Sequence, residues 1–121
     1  MRYFYFITIC LFILTGCIKR GTKSSQNTDT FKLSEINKSM LVIDVRSAQE
    51  YSSGHIDRAI NIPETVIENE IENYTKDKSQ KILLYCRSGR RSGIALNILT
   101  NLGYTNVENI GGYEAVKSRL K

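Results

Sequence analysis

Residues 81–93 constrain the fold most strongly, because an apolar run there leads directly into a cysteine, a glycine turn and a helix. The stretch Lys81–Tyr85 has few polar interruptions, as expected of a central parallel strand covered on both faces. Gly89 lets the backbone turn so that successive N–H groups point inward. Apolar residues then recur at helical spacing from Ile94 to Leu102, which predicts a helix with Ser92 as its N-cap. A strand that enters a helix through such a turn favours an α/β architecture.

The rest of the chain repeats this alternation of strands and helices. Apolar runs predict three further strands, at Leu41–Val45, Ala59–Ile62 and Val107–Ile110. Helical patterns carry Val66, Ile67 and Ile71 in one segment and span Tyr113–Leu120 in another. The pattern predicts one α/β domain over residues 31–121.

The cysteine at the end of the predicted central strand is the candidate catalytic residue. Ligands of open parallel sheets bind outside the carboxyl ends of the strands, which is where Cys86 would lie. Cationic side chains and a helix N-terminus lower the pKa of a nearby thiol, so we expect an ionised and accessible sulfur. The candidate substrate-binding residues are those of the loop and first helical turn, Arg87, Ser88, Gly89, Arg90, Arg91 and Ser92.

The N-terminal segment has the layout of a secretory signal. A positive end, Met1-Arg2, precedes an apolar stretch that is shorter than the roughly 20 residues needed to span a bilayer. Leu14-Thr15-Gly16-Cys17 resembles the lipobox of bacterial lipoproteins, which implies a signal peptide over residues 1–16 and lipidation of Cys17. Residues 17–30 then form a polar tether. We therefore expect a lipid-anchored protein of the bacterial cell envelope that faces away from the cytoplasm, in the periplasm or at the cell surface.

Composition and cysteine number narrow the function further. The net charge is +5, but no basic stripe with interleaved aromatics is present, so we expect no nucleic-acid partner. Cys10 lies in the leader and Cys17 would be acylated, which leaves Cys86 as the one free thiol of the mature chain. His55 is the only histidine, so the sequence predicts no metal site.

From Leu41 to Gly112 the chain resembles the rhodanese-like sulfurtransferases, and in particular their small, single-domain, phage-shock type. The matching segments are Leu41-Val42-Ile43-Asp44-Val45-Arg46, Glu50-Tyr51, Gly54-His55-Ile56, Ala59-Ile60-Asn61-Ile62-Pro63, Cys86-Arg87-Ser88-Gly89-Arg90-Arg91-Ser92, and Gly103-Tyr104 to Gly111-Gly112. The resemblance implies a five-stranded, mainly parallel sheet with helices on both faces. It also implies that Cys86 accepts sulfur as a persulfide.

In that family, sulfur passes from thiosulfate or a persulfide donor to a thiol or cyanide, and no cofactor takes part. The resemblance further implies that Arg46 pairs with Glu50 and that His55 steadies a turn. Two positions depart from the family pattern. Arg58 replaces a common glycine, and Val116 replaces a common aromatic residue.

Three alternatives remain open at this point. Cysteine phosphatases that share the fold place their phosphate-binding arginine six positions after the cysteine. Here Ser92 occupies that position and Arg91 comes one residue earlier, which disfavours a phosphatase or an arsenate reductase. The other two hypotheses are a sulfur carrier that binds persulfide without turnover and an inactive docking domain.

Overall fold

The computed structural model describes residues 36–121, which form a four-stranded parallel sheet in the order β2-β1-β3-β4. The strands are β1 (Leu41–Asp44), β2 (Ile60–Asn61), β3 (Ile82–Cys86) and β4 (Val107–Gly112). The helices are α1 (Ala48–Ser52), α2 (Ile67–Glu70), α3 (Arg90–Asn101) and α4 (Tyr113–Arg119), and one 3₁₀ turn (Ile71–Asn73) follows α2. The α/β prediction is therefore confirmed.

Alternating side chains of the strands build a hydrophobic cluster on each face of the sheet. One face carries Ile43 and Leu84, which pack with residues of α2 and α3. The other carries Val42 and Leu83, which pack with Val116 of α4. All five residues of β3 are buried, as expected of a central strand with helices on both faces.

The strand count departs from the family expectation. The four strands predicted from apolar runs are all present, but residues 36–121 contain no fifth strand. Residues 37–40, directly before β1, form a turn, in which the Met40 N–H donates to the Asn37 carbonyl at 3.1 Å. The predicted signal peptide, Cys17 and the polar tether lie outside the described residues.

The loop before β2 explains one of the two departures from the family pattern. Arg58 has a φ of 66°, in the left-handed region where glycine carries no steric cost. The other departure, Val116, is fully buried in the second cluster. Arg58 lies in the loop before β2 and Val116 lies in α4, so neither residue belongs to the cysteine loop.

Candidate active site

The loop after β3 surrounds the sulfur of Cys86 with hydrogen-bond donors. Gly89 has a φ of 92° and is the N-cap residue of α3, so the chain reverses within three residues of the cysteine. This turn brings the Gly89 N–H to 3.0 Å from Cys86 Sγ. The Ser92 hydroxyl lies 3.5 Å from the same sulfur. The loop is therefore a cradle that favours negative charge on sulfur.

These donors decide the ionisation of the thiol. Burial raises the pKa of Cys86, but hydrogen bonds from the Ser92 hydroxyl and from the N–H groups of Ser92, Ser88 and Gly89 outweigh it, and the net shift is downward. The sequence predicts a lowered pKa for Cys86 from the nearby arginines and the helix N-terminus. In the structure, hydrogen bonds from the loop are the leading cause of the lowering.

Two details of the sequence interpretation are wrong. Ser92 is not the N-cap residue, because α3 begins two residues earlier, at Arg90, and this places the Ser92 side chain in the first helical turn facing the sulfur. Cys86 is also not accessible, because its exposed fraction is 0%. A reaction partner reaches the sulfur only after some of the surrounding atoms move.

The three arginines of the loop have different environments. Arg87 and Arg90 are exposed and make no ion pair with another described residue. Arg91 instead forms a bidentate ion pair with Glu50, with nitrogen–oxygen distances of 2.8 and 2.9 Å. Two free guanidinium groups therefore face solvent beside the loop, and the third is fixed in position.

Glu50 is positioned to pair with Arg91 by the hydrogen bonds at the start of α1. The Ser47 hydroxyl caps α1, and the Ser47 N–H donates to the Glu50 carboxylate at 3.0 Å, which completes a capping box. Chiefly because of the hydrogen bond from Arg91, the pKa of Glu50 falls to about 2. The pairing of Arg46 with Glu50 implied by the resemblance is therefore wrong, because Glu50 binds Arg91 and Arg46 binds a different carboxylate.

The partner of Arg46 is Asp44, the buried last residue of β1. Two Arg46 nitrogens lie 2.6 to 3.0 Å from the Asp44 carboxylate, and the hydroxyl of Tyr85 donates to it at 2.9 Å. Arg46 also donates to the Gly54 carbonyl at 2.7 Å. A buried carboxylate in an apolar strand needs such partners, and this network fixes the loop after β1 beside the site.

Asn109 is a site residue that the sequence analysis missed. Its amide nitrogen donates to the Gly89 carbonyl at 2.9 Å, and its amide oxygen accepts from the Ser92 hydroxyl at 2.7 Å and from the Gly111 N–H at 3.0 Å. A bulge follows it, because Leu84 pairs with Asn109 and the next residue, Tyr85, pairs with Gly111. The signal available in the sequence was a polar side chain in the last strand, two residues before the Gly-Gly pair.

The second glycine of that pair allows the last strand to approach the loop closely. A Cβ on Gly112 would lie 2.6 Å from the carbonyl oxygen of Arg87, closer than real Cβ contacts. Gly112 is also the register partner of Cys86. The end of β4 therefore packs directly against the backbone of the cysteine loop.

An open cleft of about 470 Å³ lies beside the loop at the carboxyl edge of the sheet. Its lining residues come from the loops after β1 and β3 and from the start of α4: Arg46, Glu50, Ser53, Gly54, Arg87, Tyr113 and Glu114. The Arg46 guanidinium stacks on the Tyr113 ring at 4.3 Å. The cleft is concave and is lined by four charged side chains, and Arg87 connects it to the cysteine loop, although Cys86 itself does not line it.

His55 takes a structural place, as the sequence interpretation proposed. Its ring stacks on Tyr51 at 3.7 Å, and Nδ1 lies 2.9 Å from the Tyr51 carbonyl oxygen.

Within residues 36–121, no group of three His, Cys, Asp or Glu side chains could hold a metal ion. None of the helices in this part of the chain is long and apolar enough to cross a membrane.

Comparison with known proteins gives a consistent result. The family model for the rhodanese-like domain matches residues 28–119. Thiosulfate sulfurtransferase PspE of Escherichia coli (strain K12) is 42% identical over 74 residues, which are 61% of this chain and 71% of that protein. A solved structure described as rhodanese with anions from E. coli has a TM-score of 0.60 at 41% identity, and the match covers 62% of this chain and 88% of the other.

A further relative carries a different name. A protein of Bacillus subtilis (strain 168), YrkF, whose name proposes a sulfur-carrier role, is 29% identical over 101 residues. The match covers 76% of this chain and 54% of that protein, so this chain spans about half of YrkF.

Proposed function

This chain belongs to the rhodanese-like family, and on that premise we propose that it transfers sulfane sulfur through a persulfide on Cys86. The observation that carries the proposal is the set of donors around the sulfur, with the Gly89 N–H at 3.0 Å and the Ser92 hydroxyl at 3.5 Å. Such donors stabilise a thiolate before the reaction and a terminal persulfide sulfur after it.

Thiosulfate is the donor that the charges favour. The Cys86 thiolate attacks the outer sulfur, the S–S bond of thiosulfate breaks, and sulfite leaves with the electron pair of that bond. Thiosulfate and sulfite are both dianions, so the total charge is unchanged. Arg87 and Arg90 are exposed cations that attract the donor, and Arg91 is the positioned guanidinium that binds its oxygens.

The acceptor half-reaction restores the free cysteine. A thiolate or cyanide attacks the outer sulfur of the Cys86 persulfide, and the electron pair of the broken bond returns to Cys86 Sγ. Because the sulfur has an exposed fraction of 0%, opening of the loop precedes both half-reactions.

Thiosulfate-dependent formation of thiocyanate from cyanide tests the proposal. We expect turnover by the purified protein and none by Cys86→Ser, with the circular dichroism spectrum unchanged. A folded wild-type protein with no turnover, together with no sulfur on Cys86 after exposure to thiosulfate, would refute it.

A sulfur carrier is the second candidate, and the similarity to YrkF supports it. The rate of thiocyanate formation distinguishes a sulfur carrier from an enzyme. It would acquire one sulfur on Cys86 from a persulfide donor, retain it, and form thiocyanate no faster than the Cys86→Ser variant.

We also propose that Cys17 carries lipid and anchors the domain to the outer side of a bacterial membrane. The support is the lipobox-like sequence Leu14-Thr15-Gly16-Cys17 and the polar residues that follow it. Cys17→Ser expressed in bacteria is expected to leave the membrane fraction. Retention of this variant in the membrane fraction without acylation would contradict the anchor.

A further inference from the structure

Two of the charged side chains that line the cleft beside the cysteine loop make no ion pair within residues 36–121. Four charged side chains line it, and two of them have partners, because Arg46 binds Asp44 and Glu50 binds Arg91. Arg87 and Glu114 are exposed and make no ion pair within residues 36–121. The cleft therefore offers one free cation and one free anion to a ligand.

The topology places these two charges at the mouth of the site. Cys86 and Gly112 are register partners on adjacent parallel strands, so the residues after them leave the sheet at the same edge. Arg87 directly follows Cys86, and Glu114 is the second residue of α4. Because Arg87 belongs to the cysteine loop and lines the cleft, a small molecule bound in the cleft would contact this loop.

From this arrangement we infer that the cleft binds the sulfur acceptor, and that the acceptor is a small amino thiol. The inference rests on the proposed sulfur transfer through Cys86. The Glu114 carboxylate would bind the ammonium group of the acceptor, and Arg87 would bind a carboxylate if the acceptor has one. Cysteine is the simplest thiol that carries both groups.

The chemical step is the discharge of the persulfide. The thiolate of the amino thiol attacks the outer sulfur of the Cys86 persulfide, and a new S–S bond forms on the acceptor. The bond between that outer sulfur and Cys86 Sγ breaks, and its electron pair stays on Sγ. The acceptor leaves as a persulfide, and no oxidant or reductant is consumed.

A single-turnover experiment isolates this step from donor binding. The full chain is charged with thiosulfate, excess donor is removed, and loss of the added sulfur from Cys86 is followed by mass spectrometry. Three thiols of similar size serve as acceptors: cysteamine carries a positive charge, 2-mercaptoethanol is neutral, and 3-mercaptopropionate carries a negative charge. The ratio of variant to wild-type rate for each thiol removes its intrinsic reactivity.

The expected result is a charge-dependent change on substitution of Glu114. Glu114→Gln is expected to slow discharge to cysteamine about threefold, the size of one partly solvated ion pair. Discharge to 2-mercaptoethanol is expected to stay the same, and discharge to 3-mercaptopropionate to become faster. Glu114→Lys is expected to give about a tenfold change in the ratio of the cysteamine rate to the 3-mercaptopropionate rate, because it reverses the charge.

A matched control distinguishes the cleft from the overall charge of the protein. Glu68→Lys makes the same charge change in α2, which packs against the opposite face of the sheet, and is expected to change none of the three rates. Equal changes for all thiols, no change in Glu114→Lys, or the same pattern in Glu68→Lys would overturn the inference. If Cys86 accepted no sulfur from thiosulfate, the proposed function would fail and the inference with it.

Discussion

Replacing Ser92 with alanine tests whether hydrogen bonds from the loop hold the Cys86 sulfur as a thiolate. The Ser92 hydroxyl has one proton and three acceptors within reach, at 2.7 Å (Asn109 Oδ1), 3.0 Å (Gly89 carbonyl) and 3.5 Å (Cys86 Sγ). A full hydrogen bond to a charged group contributes about 1.5 to 3 kcal/mol. Since the proton is shared among three acceptors and the sulfur is the most distant of them, we take only about a third of this, about 0.5 to 1 kcal/mol, for the thiolate.

The structure predicts that this change leaves the fold intact. In Ser92→Ala, Asn109 Oδ1 still accepts from the Gly111 N–H, and the Gly89 carbonyl still accepts from the Asn109 amide. Alanine also fits the fully buried space of the serine. We therefore expect a loss of at most about 1 kcal/mol in the free energy of unfolding.

The assay is the pH dependence of Cys86 alkylation by iodoacetamide, followed by mass spectrometry of the peptide that contains Cys86. The midpoint is expected to rise in Ser92→Ala, because the thiolate loses the hydrogen bond from the Ser92 hydroxyl. Ser88→Ala is the matched control, because Ser88 acts on the sulfur through its backbone N–H, which the substitution keeps. An unchanged midpoint in Ser92→Ala, or an equal rise in Ser88→Ala, would refute the reasoning.

Four further predictions concern residues that support the site and the loop before β2. Arg91→Ala is expected to raise the KM for thiosulfate several-fold while it costs at most about 1 kcal/mol of stability, since the ion pair it removes is partly exposed; unchanged kinetics would remove Arg91 from donor binding. Asp44→Asn leaves the buried Arg46 guanidinium without its counter-charge and is expected to cost about 3 to 5 kcal/mol in urea unfolding. Gly112→Ala places a Cβ 2.6 Å from a carbonyl of the loop and is expected to abolish most sulfur transfer and to lower Tm; wild-type activity would contradict the close approach. Arg58→Gly relieves the left-handed backbone, worth about 1 to 2 kcal/mol, against about 0.5 to 1 kcal/mol of added chain entropy, so a small gain in urea unfolding is expected.

The Glu50 carboxylate gives a prediction for acid stability. Its pKa is about 2 in the folded protein and higher in the unfolded chain, whose ordinary value is 4.5. A lowered folded pKa contributes stability above pH 4.5, and that contribution is lost as pH falls towards 2. Glu50→Gln is therefore expected to show a shallower loss of Tm than wild type between pH 4.5 and 2. Parallel curves for the two proteins would contradict the ion pair with Arg91.

Local patterns in the sequence were sufficient to predict the strands and the position of the cysteine loop. The run before Cys86 is apolar because both faces of β3 are covered, and this requirement is visible in one segment. Gly103, a residue type common directly after a helix end, follows α3 and has a φ of 94°. These features depend on neighbouring residues alone.

The parts that sequence reasoning missed depend on residues far apart in the chain. Glu50 and Arg91 are 41 positions apart, and the spacing of charges contains no sign that they meet. Ser92 suits an N-cap by residue type, but the helix begins at Arg90 because the positive φ of Gly89 starts it there. The contact of Asn109 with the loop depends on a bulge in β4, which appears only once the strands are paired.

Mass spectrometry of Cys86 after exposure to thiosulfate tests the central claim most directly. The account predicts that wild-type protein gains the mass of one sulfur atom on Cys86, with one sulfite released for each sulfur bound, and that Cys86→Ser gains none. A folded wild-type protein whose Cys86 stays unmodified after that exposure, with no sulfite released, would contradict it.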